Sequence, residues 1–80
     1  MIIKILGSGC SNCIRLESNA QLAVKKMGVE AEFIKVTDFK EIMSYNIMST
    51  PALVVDEKVL SFGKLLSSDA IAELIQKSIL

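Results

Sequence analysis

Apolar and polar positions along the chain change their spacing from one short stretch to the next. Ile2, Ile3, Ile5 and Leu6 form a brief β-branched run stopped by Gly7, which reads as a buried strand. Leu16, Ala20, Ala23, Val24 and Met27 then recur at helical spacing, while Arg15, Glu17, Asn19, Gln21 and Lys25 mostly fall off that stripe. Lys25 and Lys26 occupy the last turn, where cations suit the helix dipole, and Gly28 follows as a stop. A helix is predicted over about 11–27. The run from Ala31 to Val36 reads as a second strand. Strand, helix and strand make a βαβ unit, with parallel strands and a right-handed crossover.

Asp38 followed by Glu41 is a capping-box pattern. Phe39, Ile42 and Met43 supply an apolar face for a short helix over about 39–45, and Asn46 can end it in a left-handed conformation. Ile47 to Thr50 lead into Pro51, the only proline. Ala52 to Val55 read as another buried strand, and Lys58 to Ser61 pair back across an Asp56-Glu57 turn. That turn is not of the Asn-Gly kind, so its geometry stays open, and its charges read as a solvated surface. Phe62-Gly63 break the strand. Ser67 or Ser68 caps a last helix with Ala70, Ile71, Leu74, Ile75 and Ile79 on one side. The predicted order is β-α-β-α-β-β-α, an α/β domain with helices available to both faces of its sheet.

Composition narrows the function classes. The chain has 80 residues, which is one domain spanning 1–80. Formal net charge is zero, and no basic run appears, so nucleic acid is not an expected partner. No apolar run approaches the roughly 18 residues of a membrane span, and the start lacks signal-peptide features. The expectation is a cytoplasmic monomer that does not engage membranes. Two cysteines are too few for a secreted disulfide scaffold, and the absence of histidine removes Cys-His pairs and His-ligated metal sites.

The chemistry therefore concentrates at Gly7-Ser8-Gly9-Cys10-Ser11-Asn12-Cys13, where the first strand stops and the long helix starts. The first N–H groups of a helix lack internal partners, and the macrodipole adds partial positive charge there. Both favour a thiolate, so Cys10 is the expected nucleophile. Cys13, about one turn further in, is the expected resolving thiol. Their spacing suits a disulfide, which needs Cα atoms about 4.4–6.8 Å apart. A merely structural disulfide is the plainer alternative, but so short a loop removes only about 2 kcal/mol of unfolded-state freedom. Gly7 and Gly9 read as turn residues and form no phosphate loop. Met27, Met43 and Met48 read as core or gap fillers, with Ile47 and Met48 also candidates for an apolar rim that meets a partner. A second class is a soft-metal carrier, since two thiolates suit Cu(I). Copper-handling domains of that kind run β-α-β-β-α-β, unlike the order read here, and structural zinc would need two further ligands. A third class is an interaction module with a regulatory disulfide.

These residues resemble the thioredoxin fold in its minimal, glutaredoxin-sized form, and within it the small redox-active disulfide proteins. The resemblance spans about residues 1–79 and rests on the Cys-x-x-Cys, the Thr50-Pro51 that opens the hairpin, and the glycine before the last helix. It implies a thiol–disulfide oxidoreductase that needs no cofactor. Its partners would be a disulfide-containing protein or small molecule and a reductase that recycles it. By the same resemblance Cys10 is the nucleophile, Cys13 resolves, Pro51 is a cis-proline beside the disulfide, and the Thr50 backbone pairs with extended substrate. Gly9, Ser11, Asn12 and Gly63 complete the implied substrate contacts, and the implied strand order is β2-β1-β3-β4. The chain departs from thioredoxins in lacking their Trp-Cys-Gly-Pro-Cys. It also carries Lys4 where they place a buried aspartate, so the resolving thiol needs another proton route, such as water. Without the Gly-Gly pair of glutaredoxins, glutathione is not an expected substrate.

Overall fold

The computed structural model describes residues 1–79. Chain order is β1 (Ile2–Leu6), α1 (Ser11–Met27), β2 (Glu32–Val36), α2 (Phe39–Ser44), β3 (Ala52–Val55), β4 (Lys58–Phe62) and α3 (Ser68–Ile79). The strands form one sheet in the order β2-β1-β3-β4, with β1 parallel to β2 and antiparallel to β3. The strand order implied by the resemblance is therefore the order found.

Alternation along β1 sorts the molecule into two layers. Ile3 and Ile5 face α1 and α3, and they join Leu16, Ala20, Leu53, Val55, Ile71 and Ile75 in the larger core. Leu6 faces the other way, into a smaller core with Val36, Ile42, Ile47, Ala52 and Val54 beneath α2. The bounds of α1 match the expectation because both ends are chemically marked. Cys10 caps its start, and Gly28 (φ 69°) closes its end with its N–H on Lys25 O and Val24 O. Ser67 caps α3, its Oγ accepting from the Ala70 N–H at 3.2 Å. The side chain of Ile79 and all of Leu80 lie outside the described residues.

Four expectations need correction. Phe39 and Met43 do not face the core; only Ile42 of that trio is buried, and Phe39 is 72% exposed. A helix of six residues has too few turns to bury a full stripe. Asp38 caps α2 through the Lys40 N–H at 3.1 Å rather than through Glu41. Ile47 is a core residue, whereas Met48 is 89% exposed, so the two do not form one rim. Phe62 belongs to β4, because a bulge between Leu53 and Val54 in the β3–β4 pairing carries that ladder on to Ala52 opposite Phe62. The hairpin turn resolves itself: Asp56 and Glu57 have φ of 48° and 68°, the left-handed pair that a type I′ turn requires.

Candidate active site

The turn after β1 delivers the two cysteines to the start of α1. Gly9, with φ of 87°, makes the reversal that an L side chain resists, and it stands in open space. Cys10 is the N-cap of α1 and is exposed; its Sγ accepts a hydrogen bond from the Cys13 N–H at 3.2 Å. Cys13 is 5% exposed. The two are joined as a disulfide with Cα atoms 5.1 Å apart. One sulfur thus sits at the positive end of a 17-residue helix, open to solvent, and the other lies beneath it.

Gly7 is the residue whose importance the sequence understated. It is buried, and a methyl group added there would collide with Cys13 Sγ and come within 3.9 Å of the Pro51 Cα. The seating of Cys13 Sγ against the turn after β1 depends on that missing side chain. Pro51 is buried and follows a cis peptide bond from Thr50, which is exposed. The Gly63 N–H donates to Pro51 O at 2.9 Å, and a side chain at Gly63 would meet Ser49 Oγ. Cys13, Gly7, Pro51 and Gly63 are therefore contiguous. Ser11 and Asn12 are exposed on the first turn of α1, and no hydrogen bond among the described residues ties them to Thr50 or Gly63. A groove of about 330 Å³ runs past Ser8 and Thr50 and is bordered by Phe39, Met43 and Met48.

Lys4 does not line the space around Cys13. It projects to the α2 side, where its Nζ reaches Glu57 Oε1 at 2.6 Å and donates to Tyr45 Oη at 2.9 Å. The hydrogen bond to Glu57, and then that to Tyr45, raise the Lys4 ammonium above the ordinary lysine range. The same bond from Lys4, followed by that from Tyr45, holds the Glu57 carboxyl below its ordinary value. The turn read as merely solvated thus supplies a partner for the one cation inside β1. A second, smaller cavity of about 40 Å³ adjoins Cys13 on the α1 side, with Ile5, Gly7, Glu17, Lys35 and Thr37 among its walls. Glu17 and Lys35 form an ion pair there at 3.4 Å. Neither was singled out from the sequence, although Glu17 stands one helical turn beyond Cys13, a signal that was available.

Among the described residues no helix is long and apolar enough to cross a membrane. The family model for the thioredoxin domain matches residues 1–76. A thioredoxin of Methanothermobacter thermautotrophicus is 37% identical over 94% of this chain and 97% of its own length. One from Methanocaldococcus jannaschii is 36% identical over 91% of this chain and 84% of its own. In three dimensions the chain is similar to thioredoxin 1 of Thermosipho africanus, with a TM-score of 0.63, 18% identity, and 99% and 94% of the two chains covered. It is also similar to a structure described as a malarial protein, with a TM-score of 0.70, 19% identity, and 99% and 97% covered. At those identities the two structures speak for the fold alone.

Proposed function

The chain belongs to the thioredoxin family, and from that premise we propose how its residues divide the work. Its chemistry is thioredoxin-type thiol–disulfide exchange through the Cys10–Cys13 pair, and the family implies disulfide-containing substrate proteins and a reductase. In our reading the Cys10 thiolate attacks a substrate disulfide and forms a mixed disulfide. Cys13 then displaces the reduced substrate, leaving Cys10 and Cys13 oxidised. The observation that carries this reading is the contrast between the sulfurs: Cys10 is exposed at a helix N-terminus with an N–H aimed at its Sγ, and Cys13 is buried.

Substrate backbone pairs with Thr50 beside Pro51, a one-residue form of strand addition. Gly9, Ser11 and Asn12 keep the approach to Cys10 low and polar, and Gly63 holds the Pro51 segment. The exposed apolar side chains of Phe39, Met43 and Met48 form the rim that meets a protein substrate. The protein works as a single-domain monomer in the cytoplasm, in the direction of substrate reduction, and needs no cofactor.

Two measurements test this. Brief alkylation of the reduced chain at neutral pH, mapped by mass, should label Cys10 well ahead of Cys13; equal labelling contradicts the division of roles. Equilibrium titration in thiol buffers with chelator present should place the pair between about −180 and −270 mV, the range of exchange catalysts. A value below about −300 mV would mark a structural disulfide instead.

A further inference from the structure

Cys13 must lose a proton before it can attack, yet it is buried, and bulk water reaches it poorly. The groups around its sulfur therefore decide how the proton leaves. β1 contributes Ile5 and the turn after it contributes Gly7, which have nothing to titrate. β2 contributes Lys35, the residue opposite Ile5 in the parallel ladder. Lys35 lies on an edge strand with its side chain 67% exposed, although Phe33 and Ile5 on the same face pack toward the larger core. α1 contributes Glu17, whose side chain is only 16% exposed. The charged and titratable groups facing this cavity are thus Glu17, Lys35 and Cys13 itself. Its volume of about 40 Å³ exceeds the roughly 10–15 Å³ a water needs; its walls are mainly apolar, with Glu17 and Lys35 as the charged groups among them.

Resting on the reading of Cys13 as the resolving thiol, we infer that Glu17 is its proton acceptor, with Lys35 holding the carboxylate at the cavity. In the resolving step the Cys13 S–H proton passes to the Glu17 carboxylate, directly or through one water. The Cys13 thiolate forms a bond to Cys10 Sγ as the bond from Cys10 Sγ to the substrate sulfur breaks. The substrate sulfur leaves as a thiolate and takes a proton from solvent, and Glu17 gives its proton back to solvent. The two protein sulfurs are oxidised together by two electrons, and the substrate disulfide is reduced by two. In the reverse direction Glu17 returns the proton to Cys13. This role is distinct from that of Lys4, which is committed to Glu57 and Tyr45 on the opposite face.

The test follows a chromogenic aryl disulfide, dithionitrobenzoate, reacting with reduced protein in stopped flow. Attack by Cys10 releases one aryl thiolate, and resolution by Cys13 releases the second. Glu17→Gln should leave the first release unchanged and slow the second about tenfold or more at neutral pH, with the gap closing as hydroxide takes over in alkali. Glu17→Asp should recover part of the rate, and Lys35→Met, which keeps the carboxylate, should retain the wild-type shape of the pH profile. An unchanged second release in Glu17→Gln overturns the inference. So does an equal, pH-independent slowing in Glu17→Gln and Lys35→Met, which is what a simple tie between α1 and β2 would give. A measurement on the reduced wild-type protein needs no variant: the carboxyl carbon of Glu17 should show an inflection in its NMR shift where Cys13 ionises, and its absence counts against the assignment. Failure of the underlying reading looks different. Cys13→Ser would then still give a second release, or the wild type would give only one, whatever stands at position 17.

Discussion

On the α1–α3 side of the sheet the described core holds ten buried residues, and on the α2 side six. The first side is closed by helices of 17 and 12 residues that pack on each other as well as on the sheet. The second is covered by six residues of helix, and it leaves Phe39, Met43 and Met48 in solvent and an ion pair where more core would otherwise lie. The cysteines sit at the seam, with Cys13 packed on the thick side and the groove past Thr50 opening on the thin one. Stability is concentrated where helices are long, and apolar surface remains for a partner where the cover is short. A small domain has little apolar surface to spare, so one face cannot serve both ends equally.

That contrast can be broken most forcefully from the thick side. Ile75→Ala removes a fully buried side chain of α3 and should cost about 3 kcal/mol. This is a large share of the roughly 4–12 kcal/mol expected of a chain this size. Ile42→Ala, on the thin side, should cost nearer 2 kcal/mol. Urea unfolding of both would show it, and an Ile42→Ala loss equal to or above that of Ile75→Ala would erase the distinction.

The converse change sharpens it. Phe39→Ser with Met48→Ser should move stability by no more than about 0.5 kcal/mol per site. Reduction of a disulfide-bonded protein should slow about fivefold, corresponding to about 1 kcal/mol of apolar contact, while reduction of a small aryl disulfide stays at the wild-type rate. Equal slowing with both substrates would mean the rim acts on the cysteines and not on the partner.

The smallest expected effect concerns Lys4 and Glu57, because the carboxylate is 66% exposed and solvent screens the pair. The sign is nonetheless fixed. Glu57 is held below its ordinary value near 4.5, so the stability it contributes is complete above that pH and is lost as pH falls through its folded value. Lys4 is raised from 10.5, so its contribution is complete below that pH and is lost only as pH rises through the raised value. Between those limits the pair contributes no slope. Melting temperatures from about pH 2 to 7 should fall less steeply on the acid side for Glu57→Gln than for the wild type. Parallel curves would remove the pair from the account.

The contrast between the two faces also marks what a reader of the sequence can and cannot see. Elements whose ends carry their own chemistry were legible: α1 lies between Cys10 and Gly28, and the short β3 strand begins right after Pro51. The cysteine pair was legible for the same local reason. What was not legible depends on partners far along the chain. Glu57 looked like a turn charge until the sheet brought it to Lys4. Gly7 looked like a turn residue until α1 laid Cys13 Sγ against it. Lys35, one residue within a strand run, gained a role only when the parallel register put it opposite Ile5 and in reach of Glu17. The outward turn of Phe39 and Met43 was hidden because a single turn and a half of helix fits an apolar stripe in more than one orientation.

The central claim is that an exposed sulfur attacks and a buried one resolves, and trapping tests it most directly. Reduced Cys13→Ser and Cys10→Ser chains would each be mixed with a disulfide-bonded protein, quenched, and read by intact mass and peptide mapping. The account expects Cys13→Ser to accumulate a stable mixed disulfide through Cys10, and Cys10→Ser to accumulate little. Equal trapping through Cys13, or no trapped species from Cys13→Ser, would contradict it.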